Sequence, residues 1–95
     1  MQEVAASGDR LLSWERNARI DTEDIDLLIV TEKRVYVVEV KVQPKHADVG
    51  ALLAKAEIVA RRNPGREVIP VLTGARIGRE IVQYALSKGV RVYAW

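Results

Sequence analysis

Hydrophobic and polar positions follow two periods along this chain, and the points where one gives way to the other mark out its elements. Residues 9–18 (DRLLSWERNA) set Leu11, Leu12 and Trp14 behind Ser7 or Asp9, residue types that cap helix N-termini, and predict a short first helix. The polar stretch IDTED follows as a connector. Residues 25–30 (IDLLIV) are β-branched and apolar enough for a buried strand, and residues 31–34 (TEKR) suit a tight turn. Residues 35–42 (VYVVEVKV) are the plainest strand in the chain, and the two strands together make a hairpin.

Beyond Pro44, Asp48 is the expected N-cap of a helix running to about residue 62, with Val49, Leu52, Leu53, Ala56 and Val59 on one stripe. Asn63-Pro64-Gly65 stops it. Residues 67–73 (EVIPVLT) read as a strand whose Pro70 requires an edge position or a bulge. Residues 77–88 form an amphipathic helix on Ile77, Ile81, Val82, Ala85 and Leu86, closed by Gly89, and residues 90–95 form a last short strand. No repeat, linker or low-complexity segment interrupts residues 1–95, which are expected to form a single domain.

The order helix, hairpin, helix, strand, helix, strand limits the topology. Each later strand arrives through a helical crossover, which forces parallel pairing and a right-handed connection. The expected fold class is α/β: a mixed sheet, an antiparallel hairpin with parallel strands added through helical crossovers, flanked by helices. Strands apolar on both faces agree with a sheet buried between layers.

Composition removes several chemistries. Without cysteine there is no disulfide, thiol nucleophile or thiolate metal site, and a lone His46 argues against a histidine zinc centre or a Ser-His-Asp triad. No apolar run approaches a membrane span and MQEVAASGDR has no signal-peptide pattern, so the expected location is cytoplasmic, away from membranes. The net charge of +2 conceals a division. Residues 1–39 hold nine acids against five bases, a net of −4, and residues 40–95 hold ten bases against four acids, a net of +6. A basic half of this kind points toward a polyanion such as nucleic acid, although solvated helix faces produce such counts too.

Against the apolar strands, Asp26, Glu39 and Lys41 are anomalies, because a charge on a buried sheet face is costly unless paired or coordinated. If residues 31–34 close the hairpin, Val30 stands opposite Val35, Leu28 opposite Val37, Asp26 opposite Glu39 and Asp24 opposite Lys41. Opposed residues share a face, and the period of two adds Lys41 to it. Two opposed carboxylates repel, and a hard divalent cation offsets that repulsion. Mg²⁺ takes one or two carboxylates and leaves its other positions to water and phosphate oxygens. The Val40 carbonyl would add an oxygen, and Lys41 would stand beside the nucleophile or the scissile phosphate in metal-assisted phosphodiester hydrolysis. On spacing alone, a plain cross-strand salt bridge from Asp26 or Asp24 to Lys41, with Glu39 solvated, is equally open.

Asp26, twelve intervening residues and then Glu39-Val40-Lys41, on a hairpin followed by helix and strand, resembles the PD-(D/E)xK nuclease superfamily, in particular its small archaeal-type members. The ending Lys88-Gly89-Val90-Arg91-Val92-Tyr93 adds to the likeness. The resemblance runs over residues 9–95 in element order, but only the D…ExK core is specific. It implies a restriction-endonuclease-like fold and divalent-metal-dependent cleavage of DNA with Mg²⁺ or Mn²⁺. Asp26, Glu39 and Lys41 would be catalytic, and Asp26, Glu39 and the Val40 carbonyl would be the metal ligands. Ile25 stands where the family often has proline, and the first-helix glutamate of the family would fall on Glu15 or Glu3. A first helix this short implies a domain trimmed from a longer parent or completed by a partner. The rival on the same scaffold is an inactive nucleic-acid-binding or assembly module.

Several residues have an ordinary account beside a functional one. Lys55, beside Leu52 and Val59, falls where the resemblance implies a Lys or Gln pointing at the site, or it lays its stem along the helix edge. Gln43 continues the face of Glu39 and Lys41 toward phosphate, or simply ends the strand. Arg61, Arg62 and Arg66 are explained by the helix C-terminus. Lys45, Arg76 and Arg79 are the candidate DNA-backbone contacts, the last two at a strand-to-helix turn that lacks P-loop and dinucleotide-binding spacing. The aromatics are too scattered for a stacking platform. Trp95 behind Val90, Val92 and Ala94 suggests a homodimer edge, and ten Arg against five Lys, with no Cys, agrees with a thermophilic source.

Overall fold

The segment expected to be the first helix is a strand. The structure, a computed structural model, describes residues 8–95. Its elements are β1 (Leu11–Ile20), β2 (Glu23–Thr31), β3 (Arg34–Val40), α1 (His46–Arg62), β4 (Glu67–Gly74), α2 (Arg79–Ser87) and β5 (Arg91–Ala94). They form one five-stranded sheet in the order β1-β2-β3-β4-β5. The pairs β1/β2 and β2/β3 are antiparallel, and β3/β4 and β4/β5 are parallel.

Local and long-range pairing explain why LLSWERNARI is not helical. Ile20 pairs with Glu23, so Asp21 and Thr22 alone turn the chain, with Asp21 at φ 56°. Backbone groups of β1 are then satisfied by β2 rather than by their own turn. The apolar residues that suggested a helix face are exposed: Trp14 keeps 62% of its surface, while Ala18 is buried. Asn17, at φ 52°, has a left-handed backbone no helix would accept and that asparagine tolerates better than most residues. Asp9 caps no helix. Its buried carboxylate accepts the Thr31 hydroxyl and the amides of Arg10 (3.0 Å) and Lys33 (3.2 Å), with Arg34 Nη1 at 3.7 Å. It thereby ties the entry of β1 to the β2–β3 turn. Burial raises its pKa, but these hydrogen bonds and the Arg34 charge outweigh that and hold it below the usual carboxylate value. The alternative cap Ser7, and Glu3, lie outside the described residues.

The hairpin has the expected register: Val30 pairs with Val35, Ile29 with Tyr36, Leu28 with Val37 and Leu27 with Val38. Lys45 rather than Asp48 is the N-cap of α1; Asp48 reaches back from the first turn to accept the Lys45 amide at 2.8 Å. Val49, Leu52, Ala56 and Val59 are buried as the stripe predicts. Pro70 lies in a strand with neighbours on both sides, yet β5 pairs with β4 only from Val71 onward. At Pro70 itself β4 is locally an edge, the condition proline needs.

Both helices cover one face, where Ile25, Val35, Val37 and Leu72 of the sheet meet Val49, Leu52 and Val59 of α1 and Ala85 of α2. Leu27, Ile29, Tyr36, Val38, Ile69 and Val71 form a second apolar cluster made of strand residues alone. The described residues contain no helix long and apolar enough to cross a membrane.

Candidate active site

β2 changes face next to Asp26. Leu28 and Val30 pack in the helix-covered core and Leu27 and Ile29 in the other cluster, as alternation demands, yet Ile25 packs with Leu28 rather than with Leu27. Pairing with β3 stops at Leu27 and Val38, and on the other side the β1 pairs at Arg16 and Ala18 bracket the left-handed Asn17. Past that point, the side chains of Asp26 and Glu39 replace the ladder. Asp26 Oδ2 accepts the Val40 amide at 2.8 Å, and Glu39 Oε2 accepts the Asp26 amide at 3.0 Å. Each carboxylate thus satisfies a backbone donor of the opposite strand.

Of the three residues expected to converge, Asp26 and Glu39 come together, through backbone amides rather than as a directly paired row, while no hydrogen bond or ion pair among the described residues joins the Lys41 side chain to them. Glu39 is buried and Asp26 half-buried. Lys55, from α1, completes the group: its Nζ donates to Glu39 Oε1 at 2.8 Å and to the Asp24 carbonyl at 2.6 Å. Its edge-of-helix reading is thereby replaced. Neither alternative salt bridge of Lys41 forms, since Asp24 instead pairs with Arg19 at 3.1 Å and Asp26 bonds to Val40. Lys41 is exposed just past the end of β3, its amide on the Thr73 carbonyl at 2.9 Å.

Gly74, at the end of β4, also shapes the site. A Cβ there would lie 1.8 Å from the Lys41 carbonyl oxygen, so only glycine lets β4 approach the chain that carries Lys41. A glycine ending a strand was the available signal, but nothing in the sequence said what it would approach.

Glu15 stands on β1 opposite Leu28, exposed, and belongs to no helix; no hydrogen bond among the described residues joins it to Asp26 or Glu39. Gln43 and Arg76 come together in an open cleft of about 460 Å³ with Pro44, Ile77, Gly78 and Ile81. The Arg76 amide bonds to the Val42 carbonyl at 2.8 Å, which fixes this loop against the exit of β3. Lys45 and Arg79 are exposed at the starts of α1 and α2. Crossover geometry explains the grouping, because each helix that follows a parallel strand begins at that strand's carboxyl end. Lys41, Lys45, Arg76 and Arg79 accordingly lie at the end of the sheet where Asp26 and Glu39 meet.

Among the described residues, no third His, Cys, Asp or Glu joins the two carboxylates in a cluster able to hold a metal ion. Two carboxylates with Asp26 Oδ1 free of protein partners among those residues are still a donor set that suits Mg²⁺ or Mn²⁺, whose remaining positions go to water and phosphate oxygens.

By sequence, the chain matches no family model and no curated protein. By structure it is similar to EndoMS in a complex with double-stranded DNA, with a TM-score of 0.73 and 18% identity over 92% of this chain and 36% of that one. It is similar to a repair endonuclease from Pyrococcus abyssi, with a TM-score of 0.75 and 14% identity over 99% of this chain and 41% of that one. A protein of unknown function matches with a TM-score of 0.71 and 15% identity, over 99% of this chain and 53% of that one. The chain thus spans about a third to a half of the length of these structures. At such identities the likeness is one of fold: a compact mixed α/β sheet shared with endonuclease structures, in agreement with the restriction-endonuclease-like class that Asp26 and Glu39-Val40-Lys41 resemble.

Proposed function

We propose that this chain is the core of a divalent-metal-dependent DNA endonuclease of the PD-(D/E)xK type. The observation that carries the reading is the reciprocal capping of β2 and β3 by Glu39 and Asp26, which places two carboxylates at the end of the sheet where β3 runs out into Lys41. Asp26, Glu39 and the Val40 carbonyl would hold Mg²⁺ or Mn²⁺. When bound, the ion would supply Lewis-acid stabilisation of a phosphodiester and a more acidic water.

The remaining work falls to the chain itself. Lys41, exposed and charged, orients the attacking water or a phosphate oxygen and stabilises negative charge as it develops. Its backbone is held by Thr73 and by the close approach of Gly74, so its ammonium starts from a fixed point. Lys45, Arg76 and Arg79 contact the DNA backbone, with Gln43 at the cleft mouth. Such contacts position the substrate without reading its sequence. Cleavage of both strands would engage two copies of the site.

The test is nicking of a supercoiled plasmid by the full chain with Mn²⁺, Mg²⁺ or chelator. Wild type should nick only with metal, and Lys41→Ala and Asp26→Asn should lose the activity while melting as wild type does within a few degrees. Unchanged nicking in both variants would overturn the reading. Salt-sensitive DNA binding with no cleavage and no divalent requirement would instead make the chain a binding module.

A further inference from the structure

Two carboxylates drawn together where β2 and β3 part are met by a cation from a different element. Leu52, Ala56 and Val59 bury the inner face of α1 against the sheet, and this anchorage carries Lys55 to the carboxylates. The Lys55 side chain is 16% exposed and that of Glu39 is 7% exposed, so little water separates them. Lys55 is also held from a second direction by the Asp24 carbonyl, on the β2 segment that leads into Asp26.

We propose that Lys55 is a positioning residue that serves as the built-in countercation of this site. It fixes Glu39 so that Oε2 stays on the Asp26 amide, and its charge lowers the affinity of the carboxylate pair for a divalent ion. The inference rests on the metal reading given above. An ammonium on Glu39 Oε1 and a dication held by the same carboxylate repel each other. Entry of the ion therefore either draws Oε1 away from Lys55 or proceeds against its charge. The Asp24 carbonyl gives the ammonium a place to remain as Oε1 leaves. Because both cations draw on one carboxylate, the coupling is reciprocal: what removes Lys55 strengthens the ion, and what supplies the ion makes Lys55 less necessary to the fold.

The experiment is calorimetric titration of Mn²⁺ into the full chain as wild type, Lys55→Gln and Lys55→Met, with melting curves in EDTA and in Mn²⁺. The expected result is a Kd lower by about tenfold in Lys55→Gln, from removal of one unit charge a few ångströms from the ion. Both variants should also melt lower than wild type in EDTA and gain more from Mn²⁺. Lys88→Gln, the same charge change at the C-cap of α2, should leave the affinity where it is. A purely structural role would lower melting without tightening the ion. If Lys55→Met does not fold in EDTA, Lys55→Gln, which keeps N–H donors for Glu39 and Asp24, carries the comparison. Wild type that binds Mn²⁺, with Lys55→Gln binding equally or more weakly, overturns the role of Lys55. Wild type that shows neither heat nor stabilisation with Mn²⁺ overturns the metal reading itself.

Discussion

Gly74→Ala tests the close approach on which the placement of Lys41 depends. The added Cβ would sit 1.8 Å from the Lys41 carbonyl oxygen and 3.0 Å from its carbon, both backbone atoms with no rotamer to escape into. Carbon and carbonyl oxygen pack at about 3.3–3.6 Å, so the two segments would have to separate by roughly 1.5 Å. That movement stretches the Lys41 amide bond to Thr73 (2.9 Å) and the Trp95 amide bond to Gly74 (3.0 Å). Overpacking of this kind costs about 1–3 kcal/mol and each of the two lost hydrogen bonds about 0.5–1.5 kcal/mol, for a total of about 2–6 kcal/mol. Measured by denaturant titration and calorimetry, melting should fall by roughly 8–48 °C, since about 1 kcal/mol moves a domain of this size by 4–8 °C. Gly50→Ala is the matched control: nothing lies within 4 Å of its Cβ, and α1 should gain about 0.5–1 kcal/mol from it. A Gly74→Ala protein within about 1 kcal/mol of wild type would refute the reasoning, because the approach would then be adjustable.

Further outcomes follow from single residues. Asn17→Gly should leave stability unchanged or slightly raised, because φ 52° suits glycine, whereas a helix over residues 9–18 would lose about 1 kcal/mol; chemical denaturation decides between them. The Asp9 pKa is held below 3.8 in the fold, so its contribution is complete above that pH and is lost as pH falls through the lower folded value. Acid titration of stability should accordingly show a shallower acid limb in Asp9→Asn than in wild type. Glu39→Ala should both abolish metal-dependent nicking and lower melting, since it removes the partner of Lys55 and the acceptor of the Asp26 amide, whereas exposed Lys41→Ala should stay within about 0.5 kcal/mol of wild type.

Patterning over short distances was readable in the sequence because it is written in residue types. Alternating apolar strands, a polar turn at residues 31–34 and the α1 stripe gave the hairpin register and the parallel additions, and that register alone brought Asp26 toward Glu39. The first segment departs from the expected helix for a physical reason. LLSWERNARI carries no strong preference, and the hydrogen-bonding edge of β2 decided its state while leaving Leu11, Leu12 and Trp14 exposed.

Where two distant stretches of chain meet, only the tertiary structure decided. Lys55 lies 16 residues from Glu39, and its ordinary role on a helix edge was as compatible with the sequence as its place on that carboxylate. Packing of Leu52 and Val59 chose between the two. Gly74 is a connector glycine until β4 is laid against the exit of β3, and Asp26 and Glu39 are an opposed pair until the ladder ends at Leu27 and Val38. Sequence alone determined which chemical groups are present and the period on which they recur. Their contacts depended on a sheet closed by pairings many residues apart, whose geometry no local preference encodes.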